Sequence, residues 1–513
     1  MACGLFERVP DPVTADESDS AVDDSSAADA DVVETAGDTA VEDSIVAIDS
    51  TTLDTAAIDS PIADSASDSM ADSSDADVID SFDSTIDTGV DTNLDTAACS
   101  KDEYRCDGNM LQQCNAGRSG WSDFQQCAVC DARRCLEAVD VSANNRSTCA
   151  VIDDGSVWCW GTNAGGQVGN GHVDDIASPV LKPSKVLGLT TPSTRVFTGN
   201  GFACALLADN TAACWGYNAN GNLGDGTKTD HYTAAIVPSL TDVKEMAALD
   251  VTCALLKDGS VKCWGDNTNG LVGDGSTAER LVPTAVTGLG AGTTFAIAGR
   301  NGAYVEGHLC AMLSAGSVSC WGLNDYQQVT HDLVSPHLTP VTVAASGGTP
   351  VLPYPSAISL GADFSCGVMS DGTVQCWGNG RRGAFGAATA ESGPLKLTVP
   401  SGPIAAFAGQ LACGYAHVCA VMKDGTLSCW GKNSYGQLGD GTTVSRPTSA
   451  SVSLTPPGGA PGLTKVMQVA AGDNHTCAII RPGGGVWCWG WNHFGQLGDG
   501  TEIDRPSPTA VRF

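Results

Sequence analysis

The chain of 513 residues is short of positive charge, because 26 Lys and Arg residues stand against 59 Asp and Glu residues. Nucleic acid attracts basic surfaces, so this balance argues against nucleic acid as a partner. Aromatic residues are also few, at 6%. The sequence has no apolar run of membrane-spanning length, and its opening MACGLF has neither a charged n-region nor an apolar stretch. We therefore expect no membrane helix and no signal peptide within the chain as given.

Catalytic and metal-binding patterns are lacking as well. The sequence shows no Ser, His and Asp series typical of a hydrolase, no phosphate-cradling glycine loop and no H-E-x-x-H helix. Zinc needs four converging ligands, and the eight histidines do not recur beside cysteines in every part of the chain. We therefore expect no enzyme activity, no cofactor and no metal site.

The acidic residues concentrate at the N-terminus. Residues 1–98 hold 22 Asp and 4 Glu against Arg8 alone, in a low-complexity sequence of Asp, Ser, Thr and Ala. Such a segment cannot bury enough apolar surface to offset the entropy of ordering, so we predict a disordered acidic linker. Its Ala2-Cys3-Gly4 step looks like the maturation point of a bacterial lipoprotein. Cys3 is therefore a lipidation candidate that would attach the protein to a membrane, and an incidental cysteine is the alternative.

One phrase built around Trp-Gly recurs seven times in the rest of the chain. Clear copies are CWGWNHFGQLGDGT, which begins at Cys488, and CWGKNSYGQLGDGT, which begins at Cys429. The repeated tryptophans are Trp160, Trp215, Trp264, Trp321, Trp377, Trp430 and Trp489. They are 49 to 59 residues apart, a period that indicates a propeller, solenoid or array in which no unit can bury its apolar face alone.

Fourteen of the 22 cysteines form pairs, one pair in each repeat. CAVIDDGSVWC predicts a strand, a three-residue turn at Asp154-Gly155 and a second strand, which puts Cys149 opposite Cys159 at disulfide distance. The last repeat has one more residue, and it falls in the turn. The predicted pairs are Cys149 with Cys159, Cys204 with Cys214, Cys253 with Cys263, Cys310 with Cys320, Cys366 with Cys376, Cys419 with Cys429 and Cys477 with Cys488. Because the cytosol would keep such pairs reduced, they favour an extracytoplasmic location.

Six further cysteines crowd into residues 99–136: Cys99, Cys106, Cys114, Cys127, Cys130 and Cys135. A segment this short cannot form a stable core without cross-links. We therefore predict three disulfides, whose pairing the sequence leaves open. Redox or zinc chemistry at the C-x-x-C step is the alternative. Cys413 is left over, as either a buried thiol or an alternative partner for Cys419 or Cys429.

Each repeat also contains a strand before its first cysteine, a glycine-rich stretch and a Pro-containing strand. Four short strands per repeat are typical of a propeller blade. Strand alternation puts the cysteines on one face of the sheet and Ala150, Ile152, Trp158 and Trp160 on the other, so we expect the repeat tryptophan to pack between adjacent blades. Ring closure is expected to pair the C-terminal strand PTAVRF with the blade that begins near Val139.

CALLKDGSVKCWGDNTNG and WGWNHFGQLGDGT resemble repeats of the regulator-of-chromosome-condensation propeller family, over roughly residues 139 to 513. The resemblance implies an all-β, seven-bladed propeller. The chain then divides into the acidic linker at 1–98, a small six-cysteine disulfide module at 99–136 and the propeller at 137–513. The family's founding member exchanges guanine nucleotide on a small GTPase and binds chromatin, but an acidic tail and disulfide-bonded blades do not suit either role.

Exported bacterial members of the family are binding platforms, so the resemblance implies a non-enzymatic, monomeric protein of the bacterial cell surface or a secreted one. Its partner would be a protein that the sequence does not identify. The alternatives are a polysaccharide-active enzyme in the central funnel and, less favoured, a guanine-nucleotide exchange factor. An enzyme should cluster titratable residues at one mouth of the funnel, whereas a binding protein should show an aromatic and arginine patch on one rim.

Repeats four and five depart from the pattern. Gln327 and Thr330 replace two glycines in the fourth repeat, and the loop before its first cysteine is longer. These departures predict a binding surface, with neutral drift as the alternative. The candidate residues are Tyr304, His308, Tyr326, His331, Arg381 and Arg382.

Two sets of recurring polar residues have structural explanations. His308, His417 and His475 each precede a cysteine by two residues, which indicates a shared hydrogen-bonding position rather than a catalytic one. The aspartates of the G-D-G turns serve turn formation, with calcium ligation as the alternative. They are Asp225, Asp274, Asp440 and Asp499.

The cysteine pattern predicts the outcome of peptide mapping on the oxidised protein. Digestion without reduction should give seven disulfides, each joining the two cysteines of one repeat within one peptide or across one cut hairpin, because the hairpin brings them face to face. Mass spectrometry before and after reduction checks this. Fourteen unlinked repeat cysteines, or links between repeats, would contradict the hairpin interpretation.

Overall fold

The computed structural model describes the short strands between Tyr104 and Leu136 and most of residues 137–513. The parts of 137–513 left undescribed are 290–292, 302–306, 314–315, 344–356, 370–373, 381–406, 453–464 and 482–483. The predicted linker and the predictions on Cys3, Cys99, Cys127, Tyr304, Arg381 and Arg382 lie outside the described residues. Within the described residues every regular element is a β-strand, and none is a helix long and apolar enough to cross a membrane.

The cysteine-rich segment forms two small antiparallel sheets. One sheet has the order β1-β2-β3 and the other is the hairpin β4-β5. The strands are β1 (Tyr104–Asp107), β2 (Met110–Cys114), β3 (Trp121–Gln126), β4 (Val129–Asp131) and β5 (Arg134–Leu136). Side chains before Leu136 are not described, so the three disulfides expected here stay a prediction.

Seven antiparallel sheets follow, and each is built from strands consecutive in sequence. Blade 1 has β6 (Ala138–Asn144), β7 (Ser147–Ile152), β8 (Val157–Gly161) and β9 (Val180–Lys185). Blade 2 has β10 (Ser193–Thr198), β11 (Phe202–Leu207), β12 (Ala212–Gly216) and β13 (His231–Ile236). Blade 3 has β14 (Val243–Ala248), β15 (Val251–Leu256), β16 (Val261–Gly265) and β17 (Arg280–Ala285).

The other four blades repeat this order, with three strands described in blade 5. Blade 4 has β18 (Thr293–Asn301), β19 (Gly307–Leu313), β20 (Val318–Gly322) and β21 (His337–Thr342). Blade 5 has β22 (Ala357–Leu360), β23 (Phe364–Val368) and β24 (Val374–Gly378). Blade 6 has β25 (Phe407–Cys413), β26 (His417–Met422), β27 (Leu427–Gly431) and β28 (Arg446–Ser451), and blade 7 has β29 (Lys465–Ala471), β30 (His475–Arg481), β31 (Gly485–Gly490) and β32 (Arg505–Ala510).

The central hairpin of each blade has the register that the sequence predicts. Cys149 pairs with Cys159 across the sheet, and Val151 pairs with Val157. Gly155 closes the turn with φ +82°, and a Cβ there would stand 2.4 Å from the Cβ of Pro192. Only glycine fits both conditions without strain. In blade 7 the additional residue is absorbed by the turn, as expected, because Cys477 still pairs with Cys488.

All seven predicted cysteine pairs are disulfides in the structure, with Cα atoms 4.0 to 4.1 Å apart. In blade order, the bonds join Cys149 to Cys159, Cys204 to Cys214, Cys253 to Cys263, Cys310 to Cys320, Cys366 to Cys376, Cys419 to Cys429 and Cys477 to Cys488. Each bond therefore stays within one blade and links its second strand to its third.

The remaining cysteine of the propeller, Cys413, takes no part in these bonds. Cys419 and Cys429 bond to each other, so the idea that either could pair with Cys413 is wrong. Cys413 is buried, and its thiol donates to the carbonyl oxygen of Ser359 at 3.6 Å. It is therefore the buried thiol of the two alternatives.

Each junction between neighbouring blades buries a disulfide of one blade against the tryptophan of the next. In the junction between blades 7 and 1, Trp160 packs with Cys477 and Cys488. The indole Nε1 also donates to the backbone oxygen of Gln496 in blade 7, at 2.8 Å. The same packing recurs for Trp215, Trp264, Trp321, Trp377, Trp430 and Trp489. The expectation that this residue packs between blades is confirmed.

Ring closure differs from the expectation. The C-terminal strand β32 pairs with β31 of its own blade and not with blade 1, so the predicted strand exchange is wrong. Blades 7 and 1 join through side chains: Phe513 packs edge-on against Trp158 and Trp160, with ring centroids 6.1 and 5.9 Å apart. The amide of Ala138 donates to Gly484 O at 2.9 Å. Closure therefore uses the same face packing as the other junctions.

Gln327 generates a stability prediction, because it holds φ +61° where the matching position of blade 6 has Gly436 at +82°. A side chain at such a φ costs on the order of 1 kcal/mol. We expect Gln327→Gly to raise the free energy of unfolding by about 1 kcal/mol, as measured by chemical denaturation.

The reverse change, Gly436→Gln, is the control. A Cβ at that position would stand 2.4 Å from the Cα of Pro506, so this variant should be less stable than the parent protein. Loss of stability in Gln327→Gly would contradict the assignment of backbone strain to this loop.

Candidate functional site

A buried asparagine three residues after the repeat tryptophan organises the loop between the third and fourth strands. In blade 7, Asn492 Oδ1 accepts from the amide of Leu497 at 2.9 Å, and its Nδ2 donates to the carbonyl oxygens of Thr501 and Ile503 at 2.9 and 3.1 Å. The equivalent residues of other blades are Asn163, Asn218, Asn267, Asn324 and Asn433. In these blades one amide side chain thus fixes the path of the loop.

The G-D-G aspartates brace the same loops. Asp499 Oδ1 accepts from the amide and hydroxyl of Thr501 at 2.9 and 2.7 Å, and its other oxygen pairs with Arg505 at 2.7 Å. Asp274 and Asp440 likewise pair with an arginine six residues later. These carboxylates are occupied by turn contacts, and the described residues hold no group of three or more potential metal ligands.

The asparagine loops share one end of the propeller with the turns between the first and second strands, and we call this end the asparagine-loop face. Backbone hydrogen bonds tie the two loops of each blade: Trp491 N donates to Asn474 O, and Thr162 N donates to Arg146 O, both at 2.9 Å. The partly exposed residues of these two loops differ from blade to blade.

On blades 6, 7 and 1 these variable residues form a cluster of aromatic and cationic side chains. The Trp491 ring lies 5.7 Å from that of Tyr435 and meets the Phe494 ring edge to face at 5.2 Å. The Arg146 guanidinium lies over the Phe494 ring at 4.5 Å, and the Lys432 ammonium lies 5.5 Å from the Tyr435 ring centre. We call Arg146, Lys432, Tyr435, Trp491, His493 and Phe494 the aromatic patch.

Two hollows adjoin the aromatic patch. The aromatic hollow, of about 600 Å³, is lined by patch residues, by the aliphatic Ile176, Ala177 and Pro179, and by the acidic Glu502. The polar hollow, of about 540 Å³, lies between blades 1 and 2. Its lining residues include Asn145, Arg146, Thr162, Gln167, Asn200 and Tyr217. Both hollows open on the asparagine-loop face.

Of the binding residues predicted in blade 4, the structure describes three, and they do not all lie on one surface. Tyr326 lies on the asparagine-loop face, because its amide donates to Gln328 Oε1 just as the amide of Phe494 donates to Gln496 Oε1, both at 2.9 Å. His331 is exposed beside it. His308 is fully buried, so its assignment to a binding surface is wrong.

His308 instead belongs to a set of histidines that bond between blades. Its Nε2 lies 2.7 Å from the hydroxyl of Ser365 in the next blade, and burial lowers the pKa of His308 to about 3. His475 makes the same contact with Thr148 at 2.9 Å. The structural role expected for these histidines matches their contacts.

The opposite side of the face, on blade 3, is acidic. Asp250 and Asp266 lie close together, since Asp266 N donates to Asp250 O at 3.0 Å. Burial, with a contribution from the Asp266 charge, raises the pKa of Asp250 to about 6, against a lowering by its hydrogen bond with Asn200. The face is therefore cationic and aromatic on one side and acidic on the other.

Titratable residues also meet on the first strands of blades 1 to 3. Arg195 pairs with Glu245 at 2.5 Å and lies 3.6 Å from Asp140. Burial raises the pKa of both carboxyls, and Arg195 opposes the rise. Gln468 of blade 7 donates to Asp140 at 2.8 Å. Because both carboxylates are buried and bonded to protein groups, this network ties blades together and does not present an acid and a base to a substrate.

The geometry defines the protein as a seven-bladed, disulfide-bonded propeller. The residues that differ most in type between blades lie in the loops of one face. Two models of the "Regulator of chromosome condensation (RCC1) repeat" match the chain, at residues 154–206, 424–479 and 483–513 and at residues 138–167, 250–271, 356–384, 410–437 and 466–496. The chain thus carries RCC1 repeats, and its seven blades fit the RCC-type family.

Named relatives share the propeller. The "Ultraviolet-B receptor UVR8" of Arabidopsis thaliana is 28% identical over 73% of this chain and 69% of its own length. The human "E3 ubiquitin-protein ligase HERC2" is 28% identical over 74% of this chain, which spans 7% of that protein. The solved structure of Prp20p from Saccharomyces cerevisiae matches with a TM-score of 0.58 at 21% identity, covering 69% of this chain and 85% of that one. That structure supports the fold alone.

Reasoning from the sequence missed the aromatic patch, although its signal is in the repeats. The phrases CWGWNHFGQ and CWGKNSYGQ place aromatic or basic residues beside the repeated asparagine, where most other repeats have Thr, Ala, Leu or Asp. The loss of repeat glycines pointed to blades 4 and 5 instead. Departures at the positions that flank the asparagine identify blades 6 and 7.

The raised pKa of Asp250 predicts a pH effect on stability. A carboxyl whose folded pKa is about 6, above the usual 3.8, lowers stability as the pH rises from about 4 to about 6. The side chain in Asp250→Asn stays neutral at every pH. At pH 7.5 the free energy of unfolding of this variant should therefore exceed that of the parent by up to about 3 kcal/mol, and at pH 4 the two should differ little.

Denaturant unfolding at the two pH values measures this, with Asp325→Asn, an exposed acid of the same face, as the control. Equal stability of the parent and Asp250→Asn at pH 7.5 would show that the folded protein does not disfavour the charged form of the Asp250 carboxyl.

Proposed function

We propose that the protein is a non-enzymatic binding platform that holds a protein partner against the aromatic patch. The observation that carries this proposal is the grouping of Tyr435, Trp491 and Phe494 with Arg146 and Lys432 around a hollow. Tryptophan, tyrosine and arginine are the residues that most often dominate the energy of protein interfaces. The patch fits the criterion for a binding protein rather than an enzyme.

The frame beneath the patch supports the same role. Asn433 and Asn492 are fully buried and hold the loop backbones in place, so the patch residues are presented on a rigid support. A rigid surface loses little conformational entropy when a partner binds. The variable loops can therefore change their chemistry while the blades keep their structure.

The disulfides support a location outside the reducing cytosol. Seven buried bridges, one in each blade, form and persist in an oxidising compartment. We propose that the propeller is exported by a bacterium and works at the cell surface or in secreted form. In this proposal residues 1–98 act as an acidic tether, with Cys3 as its lipid anchor.

A solved propeller of the same fold is described as binding proteins. The yeast Prp20p structure is described with binding properties toward Gsp1p and histones, so a propeller of this fold can act as a protein-binding surface. We propose a protein partner for this chain on that ground and on its own aromatic patch. Its surface chemistry, and not the fold, would select the partner.

Trp491→Ala tests the proposal. Full-length protein is used to capture partners from extracts of the organism that produces it, followed by quantitative mass spectrometry. Removal of the central ring should lower partner recovery at least tenfold, because truncating such an aromatic anchor commonly costs 2 kcal/mol or more, about thirtyfold in affinity.

Tyr232→Ala is the matched control, because Tyr232 is an exposed aromatic residue (39%) on the outer strand β13. This variant should recover the partner as the parent does. Equal recovery by parent and Trp491→Ala would contradict the proposal.

A further inference from the structure

We propose that the polar hollow binds a side-chain carboxylate of the partner, and that an apolar side chain two residues away in the partner sequence enters the aromatic hollow. The occupant is an extended peptide segment with an acidic residue two positions from an aliphatic or aromatic one. This inference rests on the proposed function and specifies the chemistry that the face recognises.

The two hollows adjoin one another and together form a groove on blades 6, 7, 1 and 2. Ile176 lines both of them. Arg146 lines the polar hollow, and its guanidinium lies 4.5 Å over the Phe494 ring, which lines the aromatic hollow. Alternate side chains of an extended segment point to the same face, about 6.6 Å apart along the backbone, so two of them can enter the two hollows.

Two buried polar atoms of the polar hollow indicate what it binds. Arg146 Nε and Thr162 Oγ1 are buried, and neither has a hydrogen-bond partner among the residues that the structure describes. Thr162 is 6% exposed. Their backbones are joined by the bond from Thr162 N to Arg146 O at 2.9 Å, and both residues line the polar hollow. A buried donor without a partner is costly, and a ligand acceptor removes that cost.

A carboxylate matches this pair of groups. Its two oxygens accept only, and the planar guanidinium fork of arginine donates to both of them. Stacking on Phe494 orients the Arg146 plane before a ligand arrives. The Thr162 hydroxyl can donate to the same carboxylate. An amide in place of the carboxylate loses the charge-assisted bonds and so binds more weakly.

The floor of the polar hollow lets a peptide backbone approach. Gly165, Gly199 and Gly201 line it without side chains, and a Cβ on Gly165 would lie 2.9 Å from Gly201 O and 3.1 Å from the Cβ of Tyr217. Asn145 also lines it, and an amide side chain can bond to the N–H and C=O groups of an extended segment. The Asn200 side chain lines the hollow as well but already hydrogen-bonds to Asp250.

The arrangement of the rings favours a peptide over a sugar. Trp491 and Phe494 meet at 87° and Trp491 and Tyr435 at 39°, so the rings wall a hollow and do not form a flat platform. Ile176, Ala177 and Pro179 add aliphatic surface to the hollow, and Glu502 also lines it. An open hollow lined mainly by apolar side chains suits a Leu, Ile or Phe side chain, which gains free energy as part of its surface leaves water.

The test uses a library of nonapeptides with acetylated and amidated ends, so that side chains supply every carboxylate. Full-length protein selects binders, and the best peptide is then compared with its Asp→Asn or Glu→Gln counterpart by calorimetry. We expect acidic residues to be enriched two positions from apolar ones, and the amide counterpart to bind at least tenfold more weakly, as loss of a charge-assisted hydrogen bond predicts.

Variants assign the effect to the two hollows. Arg146→Gln should bind the acidic peptide and its amide counterpart about equally, and Arg146→Lys should restore part of the difference. Trp491→Ala should weaken both peptides and keep the difference between them. Arg512→Gln, which removes an exposed arginine outside the groove, should match the parent.

Four outcomes would overturn the inference: no peptide bound, selected peptides without acidic residues, an Arg146→Gln protein that still discriminates, or preferential binding of uronic-acid oligosaccharides. Partner capture that is independent of Trp491 would instead contradict the proposed function. The two failures are therefore distinguishable.

Discussion

The structure depends on one repeated contact, in which a disulfide of one blade is buried against the tryptophan of the next. The disulfide fixes the two middle strands of a sheet that is too small to be stable alone, and the tryptophan is buried among the apolar residues that join neighbouring sheets. Because the indole also donates to a loop carbonyl of the preceding blade, the same residue couples core packing to loop position. The ring closes through this contact too, without an exchanged strand.

In the loops above that core, buried residues hold the backbone in place and exposed residues provide the surface chemistry. Buried asparagines such as Asn492 satisfy several backbone groups at once, so the loops do not depend on their exposed residues for shape. Those residues can vary without loss of stability. Blades 6, 7 and 1 use this freedom for aromatic and cationic side chains, whereas blade 3 places Asp250 and Asp266 on the same face. The face is consequently polarised although the frame is nearly repetitive.

Much of the fold could be predicted because its rules are local. Opposition of Cys149 and Cys159 follows from a symmetric hairpin, and the sandwiched position of Trp160 follows from strand alternation. Closure could not be predicted in this way, because strand exchange and face packing satisfy the same repeat pattern. The candidate site was predicted only in part: Tyr326 lies on the correct face, but His308 points into a junction between blades, where Ser365 bonds to it. Alternation along a strand does not tell which side of a sheet a neighbouring blade will cover.

The sequence by itself determined the number of blades, the disulfide pairs and the all-β architecture, since each depends on spacing within one repeat. Only the tertiary structure decided which variable residues become neighbours. Arg146 and Phe494 are separated by almost the whole propeller in sequence, yet they stack at 4.5 Å, because closing the ring brings the first blade against the last. A surface that spans this junction has no signature along the chain: its residues meet through the curvature of the ring and not through any local periodicity.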